Sequence, residues 1–276
     1  MTTTNVTTVD FDYICTLVRS RSAIVLEPGK EYLVQARLLP LARKQGLDDI
    51  SALVERLKRG DAALTTEVVE AMTTNETSFF RDVHPFELLR TEVVPDLLTK
   101  RAATRRLHIW SAAASTGQEA YTIAMTLREH FPQLVGWNVS ILGTDLSREV
   151  LEKAREGRYA QIEVNRGLPA PMLVKYFDRA GPAWRVKPDL RALVEFKQLN
   201  LMGQWPVMPS MDIVFLRNVL IYFDADTKRD ILTRVQRVIA PDGYLFLGAA
   251  ETTLQFEGMF ERVAGARGNC YRVIPR

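Results

Sequence analysis

The chain is poor in cysteine: its 276 residues hold two, Cys15 and Cys270, near opposite ends. They show no paired spacing of a disulfide framework or a thiolate zinc site, so a reducing compartment is the simplest setting. Histidine is scarce too, and His84, His108 and His130 share no metal-ligand spacing, so no metal is expected. No serine, cysteine and histidine arrangement suggests a covalent intermediate. No apolar run approaches the ~20 residues of a membrane span, and the threonine-rich stretch Met1 to Asp10 lacks a signal peptide's basic and apolar regions. A soluble cytoplasmic protein with no membrane insertion is expected. A dominant charge sign is missing as well, since 36 basic residues stand against 33 acidic ones. The balance gives no argument for nucleic acid.

What the chain has is enough apolar residue, 47%, for a proper core, arranged in two zones. Before residue 85, Phe11 to Arg19, Tyr32 to Lys44, Ile50 to Lys58 and Ala63 to Met72 read as helices separated by Pro28-Gly29, Gly46 and Gly60-Asp61. After Thr104, strand-like runs alternate with amphipathic helices. The strands are Leu107 to Ala112, Asn138 to Thr144, Ala192 to Leu199, Asp212 to Asn218, Tyr244 to Gly248 and Cys270 to Ile274. Helices are expected up to about His130, from Ser147 to Arg155 and from Asp226 to Ala240, the last ending in a Pro241-Asp242-Gly243 turn. The alternation predicts a mostly parallel α/β sheet in residues 86–276, behind a helical domain and linker in residues 1–85. Between about 160 and 190 the rhythm breaks, and Lys175 to Asp178 with Ala183 to Lys187 could pair as an antiparallel hairpin in a small inserted β subdomain.

The most informative stretch is Trp110 to Glu119, where a strand, a turn of small residues and a helix follow one another. Such a turn suits a nucleotide-like ligand approaching closely, with Gly117 free to adopt unusual dihedral angles. Asp145 ends the next strand one βαβ unit later, placed to accept from vicinal ribose hydroxyls, and it also reads as a helix cap; the two roles can coexist. The three-glycine dinucleotide motif is absent, which speaks against a dehydrogenase using NAD. Glu119 would put a carboxylate beside any phosphate, repelling an anion and suiting a cation. S-adenosylmethionine has ribose and adenine, no phosphate, and a positive amino group and sulfonium.

Four ordered blocks carry a family resemblance. They are Thr74 to Arg81, Trp110 to Tyr121, Gly143-Thr144-Asp145 with Val150 to Arg155, and Phe215 to Asp224. The chain resembles the CheR family, S-adenosylmethionine-dependent methyltransferases of bacterial chemotaxis receptors. The resemblance implies a class I methyltransferase (Rossmann-like) sheet after the helical domain. It also implies cofactor contacts at Asn75, Thr77, Arg81, Glu119, Asp145, Asn200, Leu201, Arg217 and Asn218. One departure is Gln118, where the family usually has the first of two adjacent acids. Asn200 and Asn218 sit just past apolar strands, at the carboxyl edge where such sheets bind ligands, although either could cap a loop.

The implied reaction gives receptor glutamyl methyl esters and S-adenosylhomocysteine. Arg81 is expected to place the acceptor carboxylate and Tyr222 to hold the methylthio end, while Phe79 and Phe80 read as domain packing. Lys30, Arg37 and Lys44 recur every seven residues, with Arg43 adjacent, and form a candidate docking stripe for an acidic receptor helix. A solvated face is the competing reading. The resemblance further allows a tether between the β subdomain and a receptor's C-terminal peptide, and a monomer is the default. Competing functions are a methyltransferase on another acceptor such as RNA, and a cofactor-sensing scaffold.

Overall fold

The computed structural model describes residues 6–253, 258–264 and 268–274. Four helices come first, α1 (Thr8–Ser22), α2 (Glu31–Lys44), α3 (Ile50–Lys58) and α4 (Ala62–Ala71). Thr7, Asp49 and Asp61 each accept a backbone amide of the first turn and so cap three of them, at about 1 kcal/mol apiece. Apolar residues four apart, Ile14 and Val18, Val34 and Leu38, Leu53 and Leu57, Leu64 and Val68, close a core of their own.

A helical segment that the hydrophobic pattern did not announce comes next: α5 (His84–Leu88), a π turn (Leu89–Val93) and α6 (Val94–Lys100). Pro85 sits in the first turn of α5, where a missing amide costs nothing, and Pro95 follows the π turn directly. Phe86, Leu89, Val93 and Leu97 from this segment are buried in the main core.

The remaining chain runs β1 (Arg106–Ala112), α7 (Gln118–His130), β2 (Asn138–Asp145), α8 (Arg148–Glu156), β3 (Arg158–Ala160), α9 (Gln161–Asn165), α10 (Ala170–Tyr176), β4 (Phe177–Ala180) and β5 (Ala183–Val186). It continues through α11 (Pro188–Arg191), β6 (Val194–Gln198), β7 (Met211–Leu216), α12 (Ala225–Val238), β8 (Ile239–Leu247), β9 (Phe260–Arg262) and β10 (Cys270–Val273). The large sheet has the order β6-β2-β1-β7-β8-β10-β9. Its first five strands are mutually parallel, and β10 pairs antiparallel with both neighbours. A helical domain followed by a mixed sheet with a parallel core is the expected α/β architecture. Strand order reverses at β1, which opens a crevice beyond the carboxyl ends of β1 and β7.

Two local expectations need correction. The last long helix stops at Val238, and Pro241 to Gly243 form an irregularity inside β8, where Met211 pairs with Ile239 but Ile213 with Tyr244. Proline is tolerated at such a bulge, and a side chain at 243 would bring its Cβ within 2.9 Å of the Asp212 carbonyl oxygen. The inserted subdomain is a three-stranded antiparallel sheet, β3-β5-β4, rather than a bare hairpin, and Lys175 and Tyr176 end α10 instead of opening a strand. The subdomain packs on the linker block through Phe79, whose ring meets Tyr159 and Phe177 edge-on at 5.1 and 5.6 Å.

Candidate functional site

The loop after β1 turns through Ala113 (φ 58°) and Ser115 (φ 51°), both in the left-handed region that side chains disfavour. Polar bonds hold it there. The Ser115 amide donates to Asp145 Oδ2 at 2.8 Å, and the Ser115 hydroxyl donates to the Asn75 carbonyl at 2.7 Å. Asp145 Oδ1 accepts from the Ser147 amide at 3.0 Å. Asp145 is 7% exposed, and burial pushes its carboxyl above the usual range against the opposing pull of the Ser147, Ser115 and Leu146 amides. It therefore pins the loop and the start of α8 while lining the cleft.

The cleft lies at the carboxyl ends of β1, β2, β6 and β7 and, with the solvent space it opens onto, spans about 900 Å³. The nine residues that the resemblance implies as cofactor contacts line it, as does Tyr222. Asn75, Thr77 and Arg81 come from the linker block, Glu119 from the first turn of α7, and Asp145 from the end of β2. Asn200 and Leu201 follow β6, Arg217 and Asn218 follow β7, and Tyr222 lies in a 3-10 turn, Leu220–Tyr222. Ser22, which ends α1, and Ile24, just beyond it, close another side. No sequence signal marked them. The helical domain is stapled here by the Val25 amide donating to the Tyr222 carbonyl and by Arg37, which donates to the carbonyls of Met72 and Thr73 and to Thr74 Oγ1. Arg37 thus serves the linker rather than standing free in a basic stripe.

Arg217 is the central brace. Its side chain is 2% exposed and donates to Glu119 Oε2 at 2.9 Å, the Arg81 carbonyl at 2.9 Å and Asp82 Oδ2 at 2.7 Å. Its guanidinium lies 5.6 Å over the Phe86 ring, and among the described residues its buried Nε has no hydrogen-bond partner. Phe80, Asp82 and Val83 all have positive φ, so Arg81 sits on a strained turn that Arg217 clamps from behind. The sequence reading did not foresee that Glu119 is ion-paired. Its other oxygen accepts from the Ser111 hydroxyl, and Arg217 offsets the charge on which the argument for a cationic ligand rested.

The case against a phosphate at the turn rests instead on access. Gly117 opens α7 at φ 92°, but an added Cβ would lie 2.9 Å from Ala154 Cβ and 3.0 Å from the Phe196 ring. The residue is small because α8 and β6 pack on it, and it does not line the cleft. Tyr159 packs on the same helix start by donating to the Thr116 carbonyl at 2.7 Å, so the glycine turn is closed by protein on that side. The departure at Gln118 is likewise internal: its side chain accepts from the Thr116 hydroxyl and is buried away from the cleft.

Asn200 is committed to structure, donating to the Arg21 carbonyl at 2.7 Å and accepting from the Met202 amide at 2.9 Å. The histidines stand apart from the cleft, His84 beside Glu87, His108 beside Ser140 and His130 exposed. No helix among the described residues is long and apolar enough to cross a membrane.

The donor set fits a ribonucleoside ligand without phosphate. A carboxylate offers about four acceptor positions, and the two amides on Asp145 leave one on each oxygen for vicinal hydroxyls. Comparison with known proteins agrees. The description "CheR methyltransferase, all-alpha domain" fits residues 9–73, and "CheR methyltransferase, SAM binding domain" fits residues 75–268. The chain is 42% identical over 267 residues to chemotaxis protein methyltransferase 1 of Pseudomonas aeruginosa, covering 95% of this chain and 97% of that protein. It is 39% identical to chemotaxis protein methyltransferase Cher2 of Pseudomonas putida, covering 96% and 98%. It is 37% identical to chemotaxis protein methyltransferase 1 of Vibrio cholerae, covering 99% and 100%. With S-adenosylmethionine as its cofactor, the chain belongs to the CheR methyltransferase family of chemotaxis.

Proposed function

We propose that the protein methylates glutamate side chains of chemotaxis receptors, giving glutamyl methyl esters and S-adenosylhomocysteine, as a cytoplasmic monomer. The observation that carries the acceptor is Arg81, a half-buried guanidinium in the cleft wall that spends one donor, Nη1, on the Glu76 carbonyl at 2.8 Å. A guanidinium has five donors in a planar fork suited to a carboxylate. S-adenosylmethionine, when bound, supplies an electrophilic methyl group. A glutamate with an ordinary pKa near ~4.3 is already ionised at neutral pH, so no residue of the chain has to act as a general base. The chain's task is orientation: Arg81 aims the acceptor carboxylate, Asp145 and Asn75 hold the nucleoside, and Tyr222 borders the methylthio end. Such positioning supplies on the order of 7 to 11 kcal/mol of barrier reduction. A receptor peptide tether, where used, would add to an outer strand of the small sheet, β3 or β4.

Transfer of a labelled methyl group to chemoreceptor-containing membranes tests this reading. Label released as methanol by mild base identifies a carboxyl ester. Base-stable label, or none transferred despite tight S-adenosylhomocysteine binding, rules out the glutamate acceptor.

A further inference from the structure

A buried carboxylate outside the cleft organises one of its walls. Glu251 lies four residues past β8, is 4% exposed and does not line the cleft. Its Oε2 accepts from the amides of Asn218 at 2.8 Å and Gly248 at 2.7 Å. Its Oε1 accepts from those of Val219 at 2.9 Å and Ile221 at 3.3 Å. Asn218 has φ 57°, which turns successive amides toward one point and makes a small anion-binding concavity. The four donors match the four acceptor positions of an ionised carboxylate, so the group is spent entirely on the backbone leaving β7 and β8. Gly248 packs closely against it, since a Cβ at position 248 would lie 2.7 Å from Oε2. Asn269 locks the other side by donating to the carbonyls of Gly248, Ala249 and Glu251.

We propose that Glu251 is a positioning residue for methyl transfer, holding the loop from Asn218 to Tyr222 in the conformation that faces the cleft. The proposal rests on the reading of Tyr222 as an active-site group. Three of the four amides, those of Asn218, Val219 and Ile221, belong to the lead-in and body of the 3-10 turn that ends at Tyr222. With the carboxylate in place the turn needs no water from the cleft. Without it, three strand-end amides must seek partners on the side where the substrate binds.

The test is a double-mutant cycle of Glu251→Gln and Tyr222→Phe, read as kcat, KM for S-adenosylmethionine, Kd for S-adenosylhomocysteine and thermal unfolding. The glutamine keeps the size but turns donors toward two of the amides. The expected result is a fall in kcat of about twentyfold or more with Kd changed less than about fivefold, and a further loss of less than about twofold when Tyr222→Phe is already in place. Multiplying losses in the double variant, or a Kd loss matching the kcat loss, would show a merely structural role and overturn the proposal. If Glu251→Gln does not fold, Glu251→Asp, which keeps the charge but shortens its reach, takes its place in the same cycle. Should Tyr222→Phe alone keep near-normal kcat, the reading of Tyr222 fails. The Glu251 proposal then stands or falls on whether its own variant loses kcat with cofactor affinity intact.

Discussion

Replacing Asp145 by asparagine tests how the cleft holds a nucleoside. The Ser115 and Ser147 amides each take one position on the Asp145 carboxylate, leaving one on each oxygen. Asparagine has a single oxygen, so its amino group meets one of those amides donor to donor, and one ribose hydroxyl must reverse to accept. A hydrogen bond to a charged group contributes about 1.5–3 kcal/mol and a neutral one about 0.5–1.5 kcal/mol. Over two hydroxyls the substitution loses about 2–3 kcal/mol, or roughly 30- to 150-fold in Kd. Calorimetric titration with S-adenosylhomocysteine, beside a thermal unfolding curve, reads this directly. A Kd within threefold of the parent in a folded Asp145→Asn variant would refute the assignment.

The same residue fixes the sign of a pH effect. Burial raises the Asp145 carboxyl above its ordinary value of 3.8 in the free protein. Its contribution to stability is fully present below the unfolded value and is lost as pH rises through the raised one. Hydroxyl donors favour the ionised form. S-adenosylhomocysteine affinity is therefore highest above the raised value and weakens as pH falls through it, whereas the asparagine variant shows no such slope.

Three further variants separate structural from functional cations. Arg101 donates to Asp212 at 2.7 Å and to both oxygens of Asp242, at the amino ends of the strands, away from the cleft. Arg101→Met strands the buried Asp212 with, among the described residues, the His108 amide as its remaining partner, costing about 3–5 kcal/mol. At about 2–4 °C per kcal/mol this lowers the melting temperature by roughly 6–20 °C, with S-adenosylhomocysteine affinity in the folded protein unchanged; a drop under about 3 °C would refute it. Arg37→Glu breaks the linker anchor and should weaken cofactor binding and receptor methylation together, about tenfold or more. Lys30→Glu should weaken receptor methylation alone, and equal effects of the two variants on cofactor affinity would dismiss the anchor.

Sequence alone reveals what neighbours along the chain decide. Helices showed in apolar residues four apart, and the ligand edge showed in a strand followed by small residues and in Asp145 ending the next strand. Partners remote in sequence stayed hidden. Gly117 looked like a ligand-facing residue until Ala154 and Phe196 were seen to crowd it. Glu119 looked like a free charge because its partner is 98 residues away. Asn200 reads from its neighbours as either a ligand contact or a loop cap, and the partner of its amide, the Arg21 carbonyl, is 179 residues off. Gly167 reads only as part of the break in rhythm, though an added Cβ there would collide with the Phe79 carbonyl oxygen. Nothing local distinguishes a residue shaped by such a contact from one shaped by a ligand.

The cleft's geometry follows a single logic of strain and restraint. Phe80, Asp82 and Val83 on one loop, Ala113 and Ser115 on a second, and Asn218 on a third hold positive φ without being glycine. Each such residue costs of order 1–3 kcal/mol and persists only when its surroundings over-determine it. Each loop has its own buried ionisable restraint. Arg217 clamps the first through the Arg81 carbonyl and the Asp82 carboxylate, Asp145 takes the Ser115 amide of the second, and Glu251 takes the Asn218 amide of the third. Apolar packing tolerates small shifts, whereas a desolvated charge sharing fixed donors does not. The substrate-facing surface is thus set by three charges buried in its walls, and substitutions there should alter turnover through loop geometry even where no contact to substrate is lost.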